Sequence, residues 1–356
     1  AWIMHVAGRR PNFLIGGLAE NFGKSYGLGG GKEFIIEGDE YDTAFFDKGP
    51  KFLHYHPDEL IITSLEFDHA DIYPDLPAIE LQFRRLVNLV PRRGRIVAWG
   101  DNDLHTSAIR RVTEKAFCPI ETYGLDGTTT WIAGDITHVD DCMEFRIAHR
   151  AQEMAKIRLP LAGRHNVLNA LAASAIAFGR GVPRDAVEEA LGTFRGVRRR
   201  LQVQGEEGGI LVVDDFAHHP TAIRATLEAA RGRWPNRRLW AAFEPRSNTM
   251  RRNTFEGPLA ESLSLADGIV LGPVNRANLL SDAERLSPDR IVSLLTAQKR
   301  QASAFASAGA IVEYLSHEAK SGDVILVMSN GSFDGLCGKL VDRFSKSGAP
   351  SHQVQR

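Results

Sequence analysis

Carboxylates crowd the stretch EGDEYDTAFFDK, where Glu37, Asp39, Glu40 and Asp42 follow an apolar run. Acids at the carboxyl end of a parallel strand stand where α/β proteins bind ligands. The same pattern also describes a solvated acidic turn. SLEFDHAD repeats it, with Glu66, Asp68, His69 and Asp71 behind IITS. Two such strand ends side by side in one sheet would form a polar patch suited to a divalent cation. Mg²⁺ prefers oxygen ligands and keeps several waters, so His69 either ligates directly or holds a metal-bound water.

Other segments offer different chemistry. GRHNVLNALAA sets Asn166 and Asn169 on one face at the start of a helix. Each amide has a donor and an acceptor and can read a purine edge, or can simply cap the helix. RGVRRRLQ supplies arginines, which bind phosphate in a bidentate way closed to lysine. In VVDDFAHHPTAI a strand ends in Asp214-Asp215, a turn carries His218-His219, and Pro220 opens a helix. The paired histidines lack a third ligand at zinc spacing. EPRSNTMRRNTF offers Arg246, Asn248, Thr249, Arg251 and Arg252 to an anion, and MSNGSFDG brings small residues that admit close backbone approach. The acidic, DDFAHH, EPRSN and MSNG clusters follow strands of two sheets, the layout expected of an enzyme cleft between domains.

GGLAENFGKS mimics a phosphate loop without being one. The loop reads G-x-x-x-x-G-K-[ST] and opens a helix, whose N-terminal N–H groups do the binding. Here the spacing from Gly17 to Gly23 is one residue too long, and Tyr26 and a glycine cluster follow. A surface loop is the expectation. GLGGGK fails as a dinucleotide fingerprint because Lys32 holds its sixth position and a strand comes next.

The elements that must position these residues can be read from the apolar pattern. Strands are expected at 33–40, 59–69 and 94–100, a helix at 77–90, and antiparallel edge strands between about 120 and 160. A helix over GRHNVLNALAASAIAFGRG, capped by Asn or His, and another at 183–194 complete the first half. Beyond residue 200, strands at 209–216, 238–244, 267–273, 301–306 and 323–329 alternate with helices, which argues for a mostly parallel sheet covered on both faces. The chain has 356 residues, enough for two domains, with a boundary in the charged, glycine-rich 196–206 stretch and a frayed end. Its net charge of -1 gives no field toward nucleic acid or anionic membrane. No apolar run reaches bilayer length, and no signal peptide is visible. The three cysteines match no disulfide or metal framework, so a cytoplasmic home is the simplest expectation.

Taken in order, EGDEYDTAFFDK, LEFDHADIY, GRHNVLNALAA, RRRLQ, DDFAHHPTAI, EPRSNTM and VMSNG resemble the Mur ligases, the ATP-dependent enzymes that build the peptidoglycan peptide. The resemblance covers nearly the whole chain. It implies an α/β fold: a central ATPase domain of P-loop type over 1–197, truncated at its N-terminus, and a Rossmann-like doubly wound C-terminal domain over 198–348. Residues 349–356 are expected as a disordered tail. The family's UDP-sugar domain and G-T-H-G-K-T loop would precede residue 1, so the chain reads as a piece of a longer ligase. Such a piece is expected neither to hydrolyse ATP nor to bind the UDP-sugar by itself.

By the same resemblance, Glu37 and His69 match the family's Mg²⁺-site glutamate and histidine. Asn166 and Asn169 match the pair near adenine and phosphates, Arg200 the linker arginine, and Asp215 the aspartate that reaches the ribose and that arginine. His218 falls where an amine substrate is oriented, with Phe216 in place of the usual tyrosine. Asp215 and His218 join Glu37 and His69 as the catalytic candidates. By position, Arg246, Asn248, Ser329 and Asn330 are candidate contacts to substrate carboxylates. The implied reaction phosphorylates the carboxylate of UDP-N-acetylmuramate with ATP, and a peptide amine then displaces phosphate. The peptide implied is L-alanyl-γ-D-glutamyl-meso-diaminopimelate, in peptidoglycan recycling. The alternatives are addition of L-alanine, a folylpolyglutamate-synthase-like ligase, and a non-catalytic binding module. A dinucleotide-dependent oxidoreductase is discounted, because AHHPTA follows GILVVDDF where a glycine fingerprint would be needed.

Overall fold

The computed structural model describes residues 1–101 and 106–347 and divides into two compact units, Ala1–Arg198 and Arg199–Arg356. The expected tail lies outside the described residues. Among those residues no helix is long and apolar enough to cross a membrane.

The first unit opens with α1 (Trp2–Val6), β1 (Asn12–Ala19), β2 (Lys24–Gly27) and β3 (Phe34–Ile36), which form a three-stranded sheet in the order β2-β1-β3. GGLAENFGKS is therefore a β-hairpin rather than a surface loop: β2 runs antiparallel to β1, and Gly23 turns the chain at φ 65°. Gly17 serves packing, since a Cβ there would lie 2.4 Å from Val197. A small hairpin, β4 (Asp42–Ala44) and β5 (Asp47–Pro50), follows.

The main sheet of this unit has six strands: β6 (Glu59–Ile62), β7 (Arg95–Trp99), β8 (Ile120–Gly124), β9 (Trp131–Val139), β10 (Cys142–His149) and β11 (Gln152–Leu159). β6 to β9 are parallel and β9 to β11 antiparallel, as the alternating runs imply. α2 (Leu76–Leu89) and α3 (Thr106–Thr113) share one core cluster with β6 and β7. α4 (Arg164–Gly179) and α5 (Arg184–Gly192) share the other with β9 to β11. α2 starts where Asp75 accepts the Ala78 N–H at 2.9 Å, satisfying one of the helix's orphan donors. The expected Asn or His cap on α4 is replaced by Gly163 at φ 99°, a backbone conformation natural to glycine.

The second unit is one six-stranded sheet in the order β12-β13-β17-β14-β15-β16. Its strands are β12 (Gln202–Glu207), β13 (Ile210–Asp215), β14 (Leu239–Phe243), β15 (Gly268–Leu271), β16 (Gln301–Ala304) and β17 (Val324–Met328). Only β12 runs antiparallel. The helices between and after them are α6 (Pro220–Arg233), α7 (Glu256–Leu263), α8 (Pro288–Ala297), α9 (Ala308–Glu318) and α10 (Leu336–Ser347). β14 and β17 are buried along their whole length, because helices cover both faces of a parallel sheet. Burying each large apolar side chain contributes about 1.5–3 kcal/mol. The last strand to form in chain order inserts between the first two parallel ones, so the strand order reverses at β13, β17 and β14. Crevices at such reversals hold ligands in α/β folds.

Candidate functional site

In the first unit, β3 runs parallel to β1 with Leu14 opposite Ile36, and Glu37 leaves the strand with its N–H on the Leu14 carbonyl at 3.0 Å. The exposed Glu37 carboxylate turns back and accepts the Gly16 N–H at 2.7 Å. A Cβ on Gly16 would sit 3.1 Å from that oxygen, so glycine gives the carboxylate its room. The other acids of the segment take cationic or imidazole partners: Asp39 with Lys51 at 3.0 Å, Asp42 with Lys48 at 2.6 Å, Glu40 with His69 at 2.6 Å.

His69 lies beyond β6 with φ 55°, its own N–H on the Asp68 carboxylate at 2.7 Å. The ring is buried, meets Tyr41 edge-on at 4.2 Å, and sets Nε2 against Glu40 Oε1. Tyr73 donates its hydroxyl to the Glu40 carbonyl at 2.7 Å. Burial works against charge on this imidazole, but the Glu40 bond and the nearby Asp68 and Asp71 outweigh it and raise its pKa. Burial, reinforced by neighbouring carboxylates, pushes the Tyr41 and Tyr73 phenols up to about 12.

The expectation that the two acidic segments end neighbouring strands of one sheet does not hold. β3 belongs to the three-stranded sheet and β6 to the edge of the six-stranded one. The segments still meet, through loops, where His69 takes Glu40 and Tyr41 as partners. Among the described residues no three His, Cys, Asp or Glu side chains gather as a metal cage. On α4, Asn166 turns its Nδ2 back to the Ala162 carbonyl at 2.8 Å, while Asn169 faces solvent.

In the second unit, Asp215 and Phe243 both lie opposite Met328, so the segments following β13, β14 and β17 start from one edge. Asp215, 3% exposed, accepts the N–H groups of Leu201 and Ala217 at 2.8 Å each and the Thr226 hydroxyl at 3.3 Å. Burial raises its pKa, while the two N–H bonds, the Arg200 charge and the Thr226 bond pull the other way. Arg199 rather than Arg200 carries the ion pair here, with Nε 3.0 Å from Asp214 Oδ2 and Nη2 donating to the Ser329 carbonyl at 2.6 Å. Arg200 is exposed, and both guanidiniums flank the Phe216 ring at 5.2 and 5.6 Å. His218 points Nδ1 at the Phe216 carbonyl, 3.2 Å away.

Glu244, which the sequence reading passed over, is buried directly after β14. Its Oε2 accepts the Ser329 hydroxyl at 2.5 Å and its Oε1 the Arg246 Nη1–H at 3.3 Å. Ser329 Oγ in turn accepts the Gly331 N–H at 2.9 Å. Asn248 is exposed and accepts from Arg251, and the Asn330 Oδ1 is buried without a hydrogen-bond partner among the described residues. A cavity of about 220 Å³ is lined by Ser329 and Gly331 together with Arg199, Asp214, Phe333 and Cys337 among others. The available signals were slight: Glu244 is an acid extending an otherwise apolar strand, and Glu40 is one acid among several.

The first unit is a mixed α/β unit with acids in its loops, and the second is a mostly parallel, doubly wound α/β sheet with acids at its strand ends. The Mur ligase middle domain matches residues 32–177, and the Mur ligase glutamate ligase domain matches 199–331. The chain is 41% identical to the UDP-N-acetylmuramate–L-alanyl-γ-D-glutamyl-meso-2,6-diaminoheptandioate ligase of Escherichia coli, over 97% of this chain and 72% of that one. It is 33% identical to the UDP-N-acetylmuramate–L-alanine ligase of Chlorobium phaeobacteroides, over 96% and 71%. A murein peptide ligase of Psychrobacter arcticus superposes with a TM-score of 0.70 at 34% identity, over 97% of this chain and 73% of that one. The chain belongs to the Mur ligase family.

Proposed function

We propose that the protein joins the carboxylate of UDP-N-acetylmuramate to the amine of L-alanyl-γ-D-glutamyl-meso-diaminopimelate, with ATP activating the acid as an acyl phosphate. The observation that carries this reading is the likeness to the E. coli ligase of that name along almost the entire chain, greater than that to the L-alanine ligase. A carboxylate cannot acylate an amine directly, because oxide would have to leave. Phosphorylation supplies the leaving group, and both steps gather negative charge that fixed cations and donors must stabilise.

Asn166, Asn169, Arg200 and Asp215 are assigned to the nucleotide, with Asn169 offering both donor and acceptor to solvent. Asp215 holds the Leu201 and Ala217 backbone, and so orders the segments carrying Arg200 and His218. His218 orients the amine, and Arg246, Asn248, Ser329 and Asn330 receive the peptide's carboxylates. Glu37 and His69 are assigned to Mg²⁺. The exposed Glu37 carboxylate fits a hard cation. A direct bond from His69 Nε2 would need Glu40 to release it, so holding a water on the ion suits this imidazole better. When bound, the ion would neutralise charge on the transferred phosphoryl group. Domains at 1–197 and 198–348, peptidoglycan recycling and a cytoplasmic setting complete the proposal.

The deciding experiment offers the complete enzyme ATP and UDP-N-acetylmuramate with either the tripeptide or L-alanine, and follows phosphate release and product mass. Ligation of the tripeptide well above L-alanine is expected; the reverse preference would move the protein to the alanine-adding branch.

A further inference from the structure

We propose that Glu244 and Gly331 are positioning residues that hold Arg246 as the docking group for a carboxylate on the incoming amine substrate, an inference that rests on the function proposed above. The residues close a ring. Gly331 donates its N–H to Ser329 Oγ, Ser329 donates its hydroxyl to Glu244, and Glu244 accepts from Arg246. The ring is completed by contact: a Cβ on Gly331 would lie 2.1 Å from Arg246 Nε and 2.4 Å from its Cδ and Cζ. The guanidinium end of Arg246 therefore fills the space where a side chain at position 331 would stand.

This arrangement does two things to the arginine. It ties the segments following β14 and β17 together around one side chain. It also removes most of the rotamer freedom that a long side chain would otherwise lose on binding. Glu244 is buried, with only 8% of its side chain exposed, whereas the Arg246 side chain remains 37% exposed. Glu244 engages a single Nη1–H of the five-donor fork, and the Ser329 hydroxyl shares its charge. The guanidinium keeps donors for a planar, bidentate partner, and a carboxylate has that shape. A buried acid whose partners are a serine and a half-exposed arginine has its lone pairs satisfied and its geometry set before the ligand arrives.

The test, made in the complete enzyme, compares the wild type with Gly331→Ala, Arg246→Ala and the double variant, measuring kcat and KM for the tripeptide and KM for ATP. A tripeptide with its carboxylates amidated serves as the control substrate. The three atoms nearest the added methyl all belong to the flexible arginine, so Gly331→Ala should fold. It is expected to raise the tripeptide KM about tenfold, the worth of one charge-assisted contact, with the ATP KM unchanged. The double variant should be no worse than Arg246→Ala alone, because Gly331 acts through that side chain. The amidated peptide should not distinguish wild type from Gly331→Ala. An unchanged tripeptide KM in Gly331→Ala, or penalties that simply add in the double variant, would overturn the clamp while leaving the ligase assignment standing. A wild type that cannot use the tripeptide takes both down. Should Gly331→Ala not fold, Glu244→Gln keeps the shape and removes the charge, and it carries the same expectation.

Discussion

The two units hold their acids in opposite ways. In the first, Glu37, Glu40 and His69 are carried by loops that leave short or edge strands, and the Glu37 carboxylate accepts the Gly16 N–H at 2.7 Å while staying exposed. In the second, Asp215 and Glu244 directly end or follow central parallel strands, and both are buried at 3% and 6% exposure. A buried carboxylate must be satisfied by the protein itself, whereas an exposed one can be satisfied by what it binds. The second unit thus presents a site built in advance. On the assignment proposed above, the first leaves the exposed Glu37 carboxylate for a bound cation to finish organising.

That contrast can be broken by substitution. The largest effect is expected from Glu37→Ala, which should abolish ligation by the complete enzyme while leaving circular dichroism and thermal midpoint unchanged, since the carboxylate supports little of the fold. Near-normal turnover at saturating Mg²⁺ would contradict the assignment. Asp215→Ala should do the reverse in kind, costing about 2–5 kcal/mol of stability by stranding two buried N–H groups. Urea unfolding followed by Trp234 and Trp240 fluorescence reports it, and a loss below 1 kcal/mol would mean that the site is not held as described.

Smaller effects sharpen the picture inside the first unit. Asn166→Ala should lower stability by about 1 kcal/mol, because its amide closes on the Ala162 carbonyl. Asn169→Ala should instead raise the KM for ATP with no change in melting temperature. Parallel melts and kinetics separate the two. The smallest effect concerns pH. His69 has a raised pKa in the fold, so the stability its pair contributes is fully present below the ordinary imidazole value of about 6.5. It is lost as pH rises through the folded value. His69→Gln should remove that part of the slope above about pH 6.5, and an identical slope in both proteins would show that the pair contributes nothing.

The second unit was the more legible in sequence because apolar, β-branched runs of a buried parallel sheet carry their own signal. LVV, LWAAF and VILVM each became a strand within a residue or two of the expected bounds. The first unit's polar loops were harder. EFIIEGDE shrank to Phe34–Ile36, and its later acids lie in the loop beyond the strand, paired with side chains from other segments. The partner of His69 was hidden because Glu40 lies 29 residues away and in another sheet's loop. The GGLAENFGKS hairpin was mistaken for a loop because glycines needed for close packing look the same as glycines needed for freedom.

The sequence alone determined the kinds of chemistry available and the order of elements that carry them, since residue type and apolar periodicity are local properties of the chain. Tertiary structure alone decided which groups meet: His69 with Glu40, Arg199 with Asp214, and Arg246 with Glu244 over Gly331. Those pairings depend on sheet order and close packing across long separations, and neither is written in any one segment.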